Sequence, residues 1–147
     1  MADALWQRYM RMAIDLAQTG KTPFGCVIAR ENEVLARAYN TVSKSHDPTA
    51  HGEVNAIRQA CQRSRSTKLP DVTIFTTGEP CPMCMSAILY AKIPRLIFGA
   101  TILTISQFMP QISISSSEVV KQSSQLIEIN GPFMETECRK LLLAFTG

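Results

Sequence analysis

His51-Gly52-Glu53 and Cys81-Pro82-Met83-Cys84 are the residues whose types and spacing could do chemistry in this chain. Two cysteines three apart at a helix start put both sulfurs on one face, within reach of one ion. A helix N-terminus also favours the thiolate, the form that binds metal. His51 would supply a third ligand from the preceding helix. The chain holds two histidines, His46 and His51, and no second Cys-x-x-Cys. Three protein ligands leave one coordination position open, as in catalytic rather than structural zinc sites. An open position lets zinc lower the pKa of its water and turn it into a nucleophile. Glu53 is placed to take a proton from that water and hand it on to a substrate ring nitrogen and a leaving amine. Peptide N–H groups near Cys81 would hold developing charge. The set implies metal-assisted hydrolysis with one Zn2+ per chain.

Blander readings of the same residues stay open. A Cys-x-x-Cys pair also serves thioredoxin-like redox exchange, although that chemistry has no use for His51 and Glu53. A structural metal site, or a catalytically silent zinc-bearing binding module, would keep the ligands but has no need of the Glu53 carboxylate. Cys26 and Cys61 sit in apolar patterns and read as small core residues. Cys138 has no partner in view. His46 reads as a loop residue.

The elements that must position these groups follow from periodicity and punctuation. Asp3 caps a predicted helix over 4–18, with Leu5, Tyr9, Met12, Ala13 and Leu16 at helical spacing and Gly20 at its end. Strands are predicted at 24–29 and 34–38, then a loop over 40–49 containing Pro48. A helix over 51–63, a strand over 72–76, a helix over 80–91 and a strand over 95–99 come next. Residues 101–124 read as mostly loop with one short helix, bordering the substrate entrance. A last strand at 125–129 and a helix from Pro132 to Phe145 complete the chain. This order implies an α/β fold in one domain, residues 1–147: a three-layer α/β/α sandwich with a central mixed five-stranded sheet.

Composition sets the outer bounds. The chain has 147 residues, 46% hydrophobic and 18% charged, which is ordinary for a globular domain. A net charge of +3 does not by itself announce a nucleic-acid binder. Its most apolar stretch, Leu96 to Ile105, is shorter than the roughly 20 residues a membrane span requires. Five cysteines, an odd number, with no export signal point to thiols or ligands in a reducing cytoplasm.

His51-x-Glu53 followed by Pro80-Cys81-x-x-Cys84 resembles the signature of the cytidine deaminase superfamily, the zinc-dependent nucleobase deaminases. Pro23-Phe24-Gly25, Asp47-Pro48-Thr49-Ala50-His51-Gly52-Glu53, Glu79-Pro80-Cys81-Pro82-Met83-Cys84 and Ile93-Pro94-Arg95 are similar to segments of that family. The likeness is strong over about residues 4–100. It implies hydrolytic deamination in a homodimer or larger assembly, with Asn40 hydrogen-bonding the substrate base and Phe24 lining its pocket. Asn40 equally reads as a turn residue ending a strand, and Phe24 as core.

Within the superfamily the resemblance is to guanine deaminases, through Phe24 and the 47–53 run, and to cytosine deaminases. Gly52, where many relatives have alanine, and Ile93-Pro94-Arg95 carry the latter likeness. The expected substrate is thus a free nucleobase or related heterocycle. One departure counts against guanine: Thr101 to Met109 lacks the carboxylate with which guanine deaminases read the purine. The second reading is a tRNA-specific adenosine deaminase, similar in His46 to His51, Phe98-Gly99-Ala100 and Glu137 to Leu142. It ranks behind the free base because the chain ends at Leu141–Gly147 without a basic tail to bind RNA phosphates.

Overall fold

The computed structural model describes residues 2–146. Helix α1 (Ala2–Gly20) turns Tyr9, Met10, Ala13, Ile14 and Ala17 inward at helical spacing. Strands β1 (Gly25–Arg30) and β2 (Glu33–Tyr39) form an antiparallel hairpin closed by Glu31 and Asn32. The register slips between Ile28 and Ala29, and that bulge bends β2 at the sheet edge. A four-residue helix, α2 (Val42–Ser45), lies inside the segment expected to be loop.

Helix α3 (Gly52–Ser64), strand β3 (Thr73–Gly78), helix α4 (Pro82–Tyr90) and strand β4 (Arg95–Ala100) follow. Helix α4 starts two residues later than expected. Cys81 precedes Pro82, and a residue before proline is pushed out of the helical region. It adopts φ −66° and ψ 169° and becomes the N-cap, with proline in the first turn.

The 101–124 region holds two short helices rather than one, α5 (Ile102–Ser106) and α6 (Ser116–Lys121). Each is capped by a hydroxyl: Thr101 accepts from the Thr104 N–H at 3.1 Å, and Ser115 from the Glu118 N–H at 3.2 Å. The last strand, β5 (Glu128–Asn130), is shorter and later than the predicted 125–129. Helix α7 (Glu135–Phe145) starts at Glu135, not Pro132, because Met134 in the left-handed region ends the preceding turn.

The five strands run in the order β2-β1-β3-β4-β5, antiparallel across the first two pairings and parallel across the last two. One face packs Cys26, Ile28, Ile74 and Leu96 against Ala56, Ala60, Met85 and Ile88 of α3 and α4. The other packs Val27, Phe75 and Ile97 against α1 and α7. These are the three layers that the element order implies. Cys138 finds its place here: its Sγ lies so close over Gly99 of β4 that a Cβ there would be 2.3 Å away. It is a buried packing residue, as is Cys26.

Two glycines beside the site illustrate opposite constraints. A Cβ on Gly25 would fall 2.0 Å from the Ala13 carbonyl oxygen, backbone that cannot yield without moving α1 off β1. A Cβ on Gly52 would meet nothing nearer than 3.4 Å. Gly25→Ala is therefore expected to cost about 3 kcal/mol, at the upper end for overpacking. Gly52→Ala should be neutral or stabilising by up to about 1 kcal/mol, through the unfolded chain. Urea denaturation midpoints of the two variants check both signs.

Candidate active site

Helices α3 and α4 lie side by side on one face and open toward the same end of the sheet, where β3 ends. His51 is the N-cap of α3 in extended backbone, and Glu53 sits in that helix's first turn. Cys81 caps α4, and Cys84 lies one turn in, fully buried. The loop leading to His51 is fixed by its own side chains. Asp47 accepts from the Thr49 N–H at 2.9 Å and from its hydroxyl at 2.7 Å. The Asn55 amide donates to the Tyr39 and Ala50 carbonyls at 3.0 and 3.3 Å, tying α3 to that loop. This is a physical reason for the Asp-Pro-Thr-Ala-His run.

The ring Nδ1 of His51 lies 3.6 Å from Cys81 Sγ and 3.4 Å from Cys84 Sγ, and all three ligand atoms fall within 4.8 Å of one another. A tetrahedral ion with Zn–S of about 2.3 Å and Zn–N of about 2.0 Å gives N···S edges of roughly 3.5 Å. The donor set thus fits zinc in both chemistry and spacing. His46, by contrast, is an exposed cap of α2 and joins no such group.

The electrostatics agree. The Cys81 thiol is pulled down to about 4, first by the hydrogen bond from Cys84 and then by His51. Cys84 is pushed up by the proton it shares with Cys81 and by burial. Metal binding would release that proton. Burial also lifts the Glu53 carboxyl to about 7, and the Cys81 thiolate adds to the rise.

A recess of about 310 Å³ opens onto the ligand cluster. The sequence-derived residues Phe24, Asn40, His51, Glu53 and Cys81 all line it. Asn40 makes the turn expected of a strand-ending residue and also lines the recess. Its Oδ1 accepts from the Val42 N–H at 3.0 Å, making a turn, which leaves the amide nitrogen for the recess. Its own N–H donates to the Phe24 carbonyl at 3.1 Å, so the two wall residues are held together.

Glu79, Ile105 and Gln111 complete the wall. Motif logic does not reach them, although Glu79 adjoins Pro80-Cys81 and the other two lie in the segment expected at the entrance.

Residues 4–100 match the family model of the cytidine and deoxycytidylate deaminase zinc-binding region. The chain belongs to that deaminase family. A tRNA-specific adenosine deaminase of Buchnera aphidicola (subspecies Baizongia pistaciae) is 32% identical over 141 residues, covering 93% of this chain and 85% of that protein. A guanine deaminase of Bacillus subtilis is 40% identical over 99 residues, covering 64% of this chain and 63% of that one. A solved structure from work on tRNA:A34 deaminases superposes with a TM-score of 0.81 at 28% identity, over 92% of this chain and 99% of that one. The tRNA-specific relative matches most of both chains, whereas the guanine deaminase match leaves about a third of each uncovered, so the comparisons favour the second sequence reading over the free-base one.

No helix among the described residues is long and apolar enough to cross a membrane.

Proposed function

We propose that this deaminase converts adenosine to inosine in a single-stranded loop of tRNA. The observation that carries the reading is a second groove, of about 830 Å³, that shares Asn40 with the catalytic recess. Lys21, Lys44, Tyr39 and Phe145 line it, and no carboxylate does among the described residues. Neither lysine joins an ion pair among the described residues. Cations beside aromatic rings are how proteins track a single strand, by phosphate neutralisation and base stacking. The two cations come from the α1–β1 turn and from α2.

A second feature disfavours guanine. The recess has two carboxylates, and Glu79 has both oxygens engaged by Ile102 and Ser116. That leaves Glu53 alone, committed to proton transfer. Adenine's ring nitrogens are acceptors, which the Asn40 amide nitrogen suits.

In this reading His51, Cys81 and Cys84 hold one zinc per chain. When bound, zinc supplies Lewis-acid activation of water. Glu53, buried at the mouth of α3, accepts the water's proton and returns protons to the ring nitrogen and the departing amine. Phe24 walls the base against solvent, and the Cys81 peptide N–H faces developing charge. The five free cysteines suit a reducing cytoplasm. A homodimer belongs to the same proposal, with the exposed Tyr90 and Leu126 as side chains a partner would cover.

The test is inosine formation in an anticodon stem-loop, set against ammonia release from guanine, cytosine and adenosine. Turnover of a free base with the RNA inert would overturn the proposal. Lys21→Ala with Lys44→Ala should raise KM for the RNA. It should also flatten the slope of log KM against log salt by about 1.4, two phosphate contacts at roughly 0.7 each. An unchanged slope would remove the groove from the RNA path.

A further inference from the structure

The link between α5 and α6 inverts the usual preference for burial. Ile112 and Ile114 face solvent, 61% and 44% exposed, while the polar Gln111 between Pro110 and Ile112 turns into the recess wall. Apolar residues out and an amide in is costly unless the amide has work to do there. Gln111 has no side-chain hydrogen bond among the described residues, and it is half-buried, so its amide is free to meet a ligand.

One side chain also ties the start of α5 to the start of α6, at the two ends of the segment that carries the link. The Glu79 carboxylate accepts from the Ile102 N–H at 2.9 Å, the first residue of α5. Its other oxygen accepts from the Ser116 N–H at 2.8 Å and from the Ser116 hydroxyl at 2.7 Å, the first residue of α6. Ser116 is buried, and the Glu79 N–H donates to the Ala100 carbonyl at 2.7 Å. Glu79 is two residues from Cys81. The clamp therefore fixes the position of Gln111 relative to the metal ligands.

We propose that Gln111 is a specificity-determining residue whose amide reads the substrate base, and that Glu79 is the positioning residue that holds it in place. The inference rests on the deaminase reading above and names the edge it selects. A glutamine amide donates and accepts side by side, which matches the amine and N7 of a 6-aminopurine and leaves N1 to Glu53. Guanine's N1–H and 2-amino group are both donors, and a carboxylate would serve them better.

The experiment compares wild type with Gln111→Leu, Gln111→Glu, Glu79→Gln and Ser116→Ala. It measures KM and kcat on the adenosine stem-loop and on guanine, and zinc content for each protein. Gln111→Leu should raise KM for the RNA by about ten- to a hundredfold, as for one lost bidentate contact, with kcat changed far less. Gln111→Glu should move the guanine-to-adenosine ratio of kcat/KM toward guanine. Glu79→Gln should reproduce the KM rise with zinc retained. Ser116→Ala, which removes one of the clamp's three bonds, should give a smaller rise and guards against misfolding of the former.

Unchanged KM and unchanged base preference in both Gln111 variants would overturn the assignment. A Glu79 or Ser116 effect confined to kcat and zinc content would overturn the clamp. If wild type turns over a free base but not the RNA, the RNA reading falls alone, and the same KM comparison on that base decides Gln111. Wild type inert on every substrate overturns both.

Discussion

Glu53→Gln is expected to keep a full complement of zinc while kcat falls by about 10²- to 10⁴-fold, the usual worth of a positioned general acid–base. The substitution keeps the shape of a side chain that is only 8% exposed in the first turn of α3, so packing is preserved and only the proton relay is lost. Three roles for the carboxylate separate cleanly. As a proton shuttle it leaves metal content and RNA affinity intact and loses turnover. As a fourth ligand it takes zinc with it. In a silent binding module its replacement changes neither. Metal stoichiometry by mass spectrometry, RNA binding and single-turnover inosine formation on one preparation distinguish these outcomes. Loss of zinc, or kcat within a few-fold of wild type, would refute the shuttle.

The grouping of His51, Cys81 and Cys84 was legible because metal binding imposes residue type and spacing on short segments. His51 with Glu53, and Cys81 with Cys84, each sit within a single helix start, where sequence distance translates directly into spatial distance. The central sheet was legible for a related reason: β1, β3 and β4 are continuous buried runs bounded by turn residues. What failed was the stretch from Thr101 to Asn130. Its helices are five and six residues long, too short for apolar periodicity to show. The local capping signal at Ser115 and Glu118 was present but sat among serines that read as loop. Moreover, α5 and α6 are held from outside, by a carboxylate 37 residues before Ser116. No local pattern reports such a contact. Gln111 enters the recess only because that clamp turns the chain, so the residue proposed to choose the substrate is the one its neighbours in sequence conceal. The Lys21–Lys44 groove was hidden likewise: a net charge of +3 averages away a patch made by a turn and a short helix that meet only in the fold.

Cys84→Ser should abolish zinc binding and bring deamination below detection, a larger loss than substitution of the recess-wall residues that hold no metal. Cys84 is fully buried behind Cys81, with its sulfur 3.4 Å from His51 Nδ1. A serine hydroxyl there is nearly isosteric, but it does not become an anion at neutral pH and is a poor partner for zinc. The fold should survive, because neither packed face of the sheet draws on the three ligand side chains. Thermal unfolding then gives a signature independent of activity. Zinc that binds only the native state adds RT ln(1 + [Zn]/Kd) to its stability, so a chelator should lower the Tm of wild type. Cys84→Ser should unfold at one temperature with or without chelator, close to that of chelated wild type. A redox role for the pair predicts otherwise, with a wild-type Tm that responds to dithiol and not to chelator. Retention of stoichiometric zinc by Cys84→Ser would mean that the ion is held elsewhere, and would remove the open coordination position on which the hydrolytic chemistry depends.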